Sequence, residues 1–79
     1  METNENNKLT NLVIRDLIKK EIFGSMCDSR KEADDKLGKF IDLSSKKGYF
    51  TLRVEDTDRY IVFEENGDPA FDITIESYN

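Results

Sequence analysis

Carboxylates are concentrated in the C-terminal third of this sequence. Glu55, Asp56, Asp58, Glu64, Glu65, Asp68, Asp72 and Glu76 fall within residues 49–79, against only Arg53 and Arg59, for a local net charge of −6. Residues 1–48 hold ten Lys/Arg and nine Asp/Glu, so the acidic segment carries more than the whole deficit of −5. Clustered carboxylates support three kinds of chemistry. They act as general acids and bases, they ligate hard cations, or they pair with the lysines and arginines of a basic partner.

The first two are disfavoured by what surrounds the acids. The chain has no histidine, so no Ser-His or Cys-His nucleophile can be assembled. No phosphate-cradling P-loop and no GxGxxG pattern occurs. Carboxylates in turns and on an open sheet face stay solvated and ionised, and a non-enzymatic protein is expected. Glu55, Asp56 and Asp58 resemble the alternating acids of a calcium loop, but the glycine at the sixth loop position and the full ligand ladder are missing. A solvated hairpin turn is the expectation there, with no metal and no cofactor. Cys27 is the single cysteine, which excludes an intramolecular disulfide. With no second thiol or imidazole to activate it, it reads as a half-buried, inert thiol between helices.

The elements that would position the acids follow from periodicity. Residues 1–7 read as a flexible polar tail ahead of a single α+β domain over residues 8–79. Leu9, Leu12, Val13, Leu17, Ile18 and Ile22 recur at three- and four-residue spacing, which predicts an amphipathic helix over 8–23 that stops at Gly24. Ser29-Arg30-Lys31-Glu32 is a capping box, and Ala33, Leu37, Phe40 and Ile41 place a second helix after it. Lys46 and Lys47 complement its dipole, and Gly48 closes it. Gly38, inside this helix, is expected to let the first helix approach closely.

From residue 49 the period changes to two. Strands are predicted over 49–54, 59–64 and 70–76, joined by a polar turn at 55–58 and an Asn-Gly turn at 65–69. The expected fold is α-α-β-β-β: two N-terminal helices on a three-stranded antiparallel meander. Phe50, Leu52, Val54, Ile61, Phe63, Phe71, Ile73 and Ile75 would face the helices. Thr51, Arg53, Tyr60, Val62, Asp72, Thr74 and Glu76 would face outward.

On that fold the acids suggest an electrostatic decoy. Same-face residues on a strand lie about 6.8 Å apart, and DNA carries one charge per about 1.7 Å of axis, so strand and turn carboxylates approximate a sparse phosphate track. Tyr49 and Tyr60 would anchor a contact, or serve in ordinary cross-strand pairing. Direct nucleic-acid binding is disfavoured by a pI of about 4.6 and by the lack of a basic stripe. Size, acidity and the polarised sheet resemble the small phage-encoded host-takeover proteins of the DNA-mimic type. The resemblance implies an inhibitor that occupies the DNA-binding surface of a basic host protein in the bacterial cytoplasm. A histone-like HU nucleoid protein is the first expectation; RNA polymerase or a defence nuclease is also compatible. Glu55, Asp56, Asp58, Glu64, Glu65, Asp68, Asp72 and Glu76 would supply charge and Tyr60 an anchor.

A second reading stays open beside it. The chain would be a protein–protein adaptor that docks through Tyr49, Tyr60 and Val62, or through an exposed sheet edge, without mimicry. Either reading allows a homodimer. No apolar stretch approaches the roughly 20 residues of a membrane span and the N-terminus is polar, so a cytoplasmic, membrane-free protein is expected.

Overall fold

Residues 9–27 form a β-hairpin where the hydrophobic spacing predicts a helix. The structure, a computed structural model, describes residues 9–78, and the tail expected at 1–7 lies outside them. Strand β1 runs Leu9–Asp16 and β2 runs Glu21–Cys27. The physical reason is local. Thr10, Val13, Ile14 and Ile22 are β-branched and suit extended backbone. Thr10, Leu12 and Ile14 also alternate with Asn11, Val13 and Arg15, a period of two that the helical spacing conceals. The turn between the strands has no Asn-Gly signature. Asp16 Oδ1 instead accepts the N–H groups of Ile18 at 3.0 Å and Lys19 at 2.9 Å, and Lys20 takes a positive φ of 59°.

Among the described residues there is one helix, α1, which spans Arg30–Lys46. Its start follows the expected capping box in its first bond, since Ser29 Oγ accepts from Glu32 N–H at 3.2 Å, while Glu32 Oε1 accepts from the N–H of Asp28, one residue before the cap, at 2.9 Å. Its end is a Schellman motif. Gly48 takes φ +90°, its N–H donates to Ser45 O, and Tyr49 N–H donates to Ser44 O, both at 3.0 Å. The close approach expected at Gly38 is absent, since a Cβ there would meet nothing within 4 Å.

Strands β3 (Phe50–Arg53), β4 (Arg59–Phe63) and β5 (Pro69–Tyr78) form the expected meander. It is part of a larger sheet, because β5 also pairs with β1 along its length. The result is β-β-α-β-β-β, a five-stranded antiparallel sheet in the order β2-β1-β5-β4-β3. The α-α-β-β-β arrangement of two N-terminal helices on a three-stranded sheet is therefore corrected.

One face of the sheet lies under α1. Leu12, Cys27, Val62, Ile73 and Ile75 from the sheet meet Ala33 and Leu37 from the helix, and Ile14, Phe40, Ile41, Tyr49, Tyr60 and Phe71 pack around them. Phe40 and Phe71 meet edge to face at 5.0 Å. Cys27 is fully buried at the end of β2, rather than half-buried between helices. Phe71, Ile73 and Ile75 face inward as expected, but β3 and β4 are inverted. Val62 pairs with Phe71 and Tyr60 with Ile73, which places Val62, Tyr60, Thr51 and Arg53 on the helix side. Phe50, Leu52, Ile61 and Phe63 face away. Strand β4 is apolar on both faces, so alternation alone cannot orient it. Among the described residues no helix is long and apolar enough to cross a membrane.

Candidate functional site

The fold divides the C-terminal acids among three places. Glu55, Asp56 and Asp58 lie in the β3–β4 connection, at the end of the sheet where α1 begins. Arg30 reaches Asp58 there through Nη2–Oδ1 at 2.9 Å and Nη1–Oδ2 at 3.3 Å, and also pairs with Asp34 at 2.9 Å. These two carboxylates, Asp34 first, raise the guanidinium pKa further above its ordinary value. Glu64, Glu65 and Asp68 lie in the β4–β5 turn at the opposite end, where Gly67 takes φ +96° and Asp68 N–H donates to Asn66 Oδ1. The five residues of β4 separate the two groups by about 17 Å at strand rise.

Asp72 lies on β5, in the middle of the sheet's far face. Arg59 clamps it with two bonds, Nε–Oδ1 at 3.0 Å and Nη2–Oδ2 at 2.7 Å, and this carboxylate raises the Arg59 pKa. Glu76 is on the same face, opposite Asn11 of β1. Tyr60 is not beside them. It is half-buried on the helix side, with the Arg53 guanidinium 6.0 Å from its ring centre. The nine residues expected to form one surface are thus distributed, and Asp58 and Asp72 are already paired. Glu55, Asp56, Glu64, Glu65 and Asp68 have no ion-pair partner among the described residues. The expected contact residues Tyr49, Tyr60 and Val62 pack on or within the core.

What the fold assembles instead is the sheet face opposite α1. Strand pairing aligns Ile22, Arg15, Asp72, Ile61 and Leu52 in one row across all five strands. Met26 and Leu9 continue the face on one side of that row, and Phe50 and Phe63 on the other. Ile22 is 67% exposed, Leu52 57%, Met26 56%, Leu9 50% and Phe50 46%. Phe50 and Phe63 stack at 5.2 Å with their planes 15° apart. The ionic residues on this face are Arg15, Arg59, Asp72 and Glu76, so it is formally neutral on a protein of net charge −5. The sequence conceals this face because the helical spacing takes in Ile22 and because alternation alone does not orient β3 and β4. The available signal was the density of β-branched residues in 10–22 and the two-sided apolar character of 60–63.

A second feature is a depression of about 320 Å³ between the β1–β2 turn and the last turn of α1, floored by Ile18, Phe40, Leu43, Tyr49 and Phe71. Ligand sites of this size carry convergent polar groups. Here Asp16 is engaged by its own turn and the Ser44 carbonyl by the helix cap. Among the described residues no group of three or more Cys, Asp or Glu is placed to hold a metal ion. No family model matches the chain, and neither a curated protein nor a solved structure matches it.

Proposed function

We propose that this protein is a non-enzymatic interaction module that docks through the open face of its sheet. The observation that carries the reading is the formally charge-neutral sheet face that no described helix covers, on which two exposed apolar patches, Ile22 with Met26 and Phe50, Leu52, Ile61 with Phe63, flank a polar strip. Exposed apolar patches on small soluble folds mark contact surfaces, and aromatic side chains supply much of the energy of such contacts. The face carries no net charge and its Arg59 and Asp72 pair with each other, so its contribution to binding comes from apolar burial.

The decoy reading is the competing proposal. Two observations favour it: the Glu64, Glu65 and Asp68 turn and the Glu55 and Asp56 turn both present carboxylates without ion-pair partners. Such a surface would engage a basic DNA-binding protein, an HU-like nucleoid protein foremost, by charge alone. The two proposals separate in a pull-down from bacterial lysate with nuclease present, at low and high salt. Docking through the sheet face predicts salt-resistant capture that Leu52→Asp abolishes and that charge reversal of Glu64 and Glu65 leaves intact. The decoy predicts the reverse pattern, with elution by salt and by competing DNA, because exposed charge pairs are screened over about 8–10 Å. Salt-labile capture insensitive to Leu52→Asp would sink the sheet-face reading.

A further inference from the structure

Resting on the sheet-face reading, we infer that the occupant of the open face is a second copy of this chain, packed sheet to sheet about a two-fold axis. Charge points to this partner. Each protein carries −5, and two like-charged proteins repel over most of their surfaces. The acids lie mainly in the end turns and along α1, and the open face holds two arginines and two carboxylates. It is a surface on which two copies can meet without a net charge penalty. A basic partner, by contrast, would find no excess negative charge there.

The layout of the face is also self-complementary. Strand β5 is the middle of the five, and two apolar patches flank its polar strip. One is Ile22 and Met26 on β2; the other is Phe50 and Leu52 on β3 with Ile61 and Phe63 on β4. A two-fold axis running along β5 lays Ile22 of one copy over Leu52 of the other, because both lie in the row that crosses all five strands. In the same arrangement the aliphatic stem of Arg15 covers the partner's Ile61, as long basic side chains do on apolar surfaces. Each Asp72, at the centre, brings its own Arg59 clamp. This is an isologous, closed contact.

Size is compatible. Five strands at about 4.8 Å spacing and about 20 Å long give a flat footprint of roughly 500 Å², which side-chain relief raises toward the about 800 Å² per partner of stable interfaces. Sheets packed face to face form a shared core about 10 Å thick. The small core under α1 would gain a second layer of the same kind, as small domains commonly need.

The test is sedimentation equilibrium of the full chain over a wide concentration range. The expected result is a reversible species of twice the 9.2 kDa chain mass. Leu52→Asp and Ile22→Asp, one in each patch, each weaken it at least about tenfold. Leu43→Asp, equally exposed but on α1 beside the β1–β2 turn, across the sheet from the open face, leaves it intact. Far-UV circular dichroism confirms folding of each variant, and Leu52→Ser or Ile22→Ser replaces any aspartate variant that does not fold. A dimer that survives both sheet variants overturns the inference. A monomer at every concentration also overturns it, and binding of the apolar probe anilinonaphthalene sulfonate then decides the underlying reading. Probe fluorescence lost in Leu52→Asp preserves a docking face for another protein, whereas no probe binding to the wild type removes that reading as well.

Discussion

Ile73 and Ile61 sit on adjacent strands, and their neighbours pair directly: Tyr60 with Ile73, and Ile61 with Asp72. Ile73 points under α1 and is fully buried; Ile61 points to the open side and is only half-buried. The same contrast holds for the two faces as wholes. The covered face is closed by one helix whose stripe of Ala33, Leu37, Phe40 and Ile41 fits it. The open face presents aliphatic and aromatic side chains of comparable size with nothing described above them. A strand apolar on both sides is the pattern of a sheet buried on both faces. The comparison teaches that the sheet is apolar on both sides, while among the described residues α1 covers one of them.

The most direct way to break that comparison is to truncate the two isoleucines separately. Ile73→Ala should cost about 2–5 kcal/mol in urea unfolding, from lost burial plus the cavity left behind. Ile61→Ala, measured at concentrations where the chain is monomeric, should cost about 1 kcal/mol or less. Equal losses would mean that the two faces are equally closed.

Smaller effects sharpen the account of how the covering helix is held. Gly48→Ala places a Cβ on a residue at φ +90°, and a loss of about 1–2 kcal/mol is expected from that strain, read as a lower thermal midpoint. Ser29→Ala removes the acceptor for Glu32 N–H and should cost about 1 kcal/mol. In both variants the loss comes from the covered face. Leu52→Ser, on the open one, should stay within about 0.5 kcal/mol in the monomer by the same denaturant measurement.

The weakest expected effect is a pH dependence at the helix start. The Asp28 N–H, and secondarily Lys36, lower the pKa of Glu32 below its ordinary value. A depressed carboxylate pKa stabilises the fold above the ordinary value, and that contribution is lost as pH falls through the folded one. The stability difference between wild type and Glu32→Gln should therefore shrink as pH is lowered from about 6 to about 3. A constant difference would show that the charge of Glu32 contributes nothing.

The sequence made the second half of this fold more legible than the first. The capping box at Ser29, the stop at Gly48 and the Asn66-Gly67 turn each depend on chemistry within a few residues, and all three stand where local rules place them. The β1–β2 hairpin does not announce itself. Its turn uses an aspartate side chain and a lysine at positive φ in place of glycine, and Leu12, Val13 and Leu17 happen to satisfy a helical spacing. Its pairing with β5 is a tertiary fact that no local window contains. The acids were visible as a set, but whether they act as a set depends on strand length and topology. The length of β4 separates the two turns, and the guanidinium groups of Arg30 and Arg59 claim Asp58 and Asp72. The open face was hidden by the same ambiguity that inverts β4: between Tyr60–Val62 and Ile61–Phe63, alternation has no preference, and the bulge at Val62/Phe63 and the pairing with β5 decide it.

The pairing of β1 with β5 also shapes how the molecule is made and undone. Leu9 lies opposite Tyr78 and Asp16 opposite Phe71, so the middle seam of the sheet joins the most distant parts of the described chain. Closing that seam has a loop-entropy cost before any of its contacts form, which places it late in folding and slows the process relative to a locally wired fold of this size. Before it closes, the hairpin of β1 and β2 and the meander of β3 to β5 are separate pieces with bare edges. Tension applied at Leu9 and Tyr78 would load the hydrogen bonds of this antiparallel seam one after another, like a zipper drawn from its end. The sheet would then part along its middle into those same two pieces.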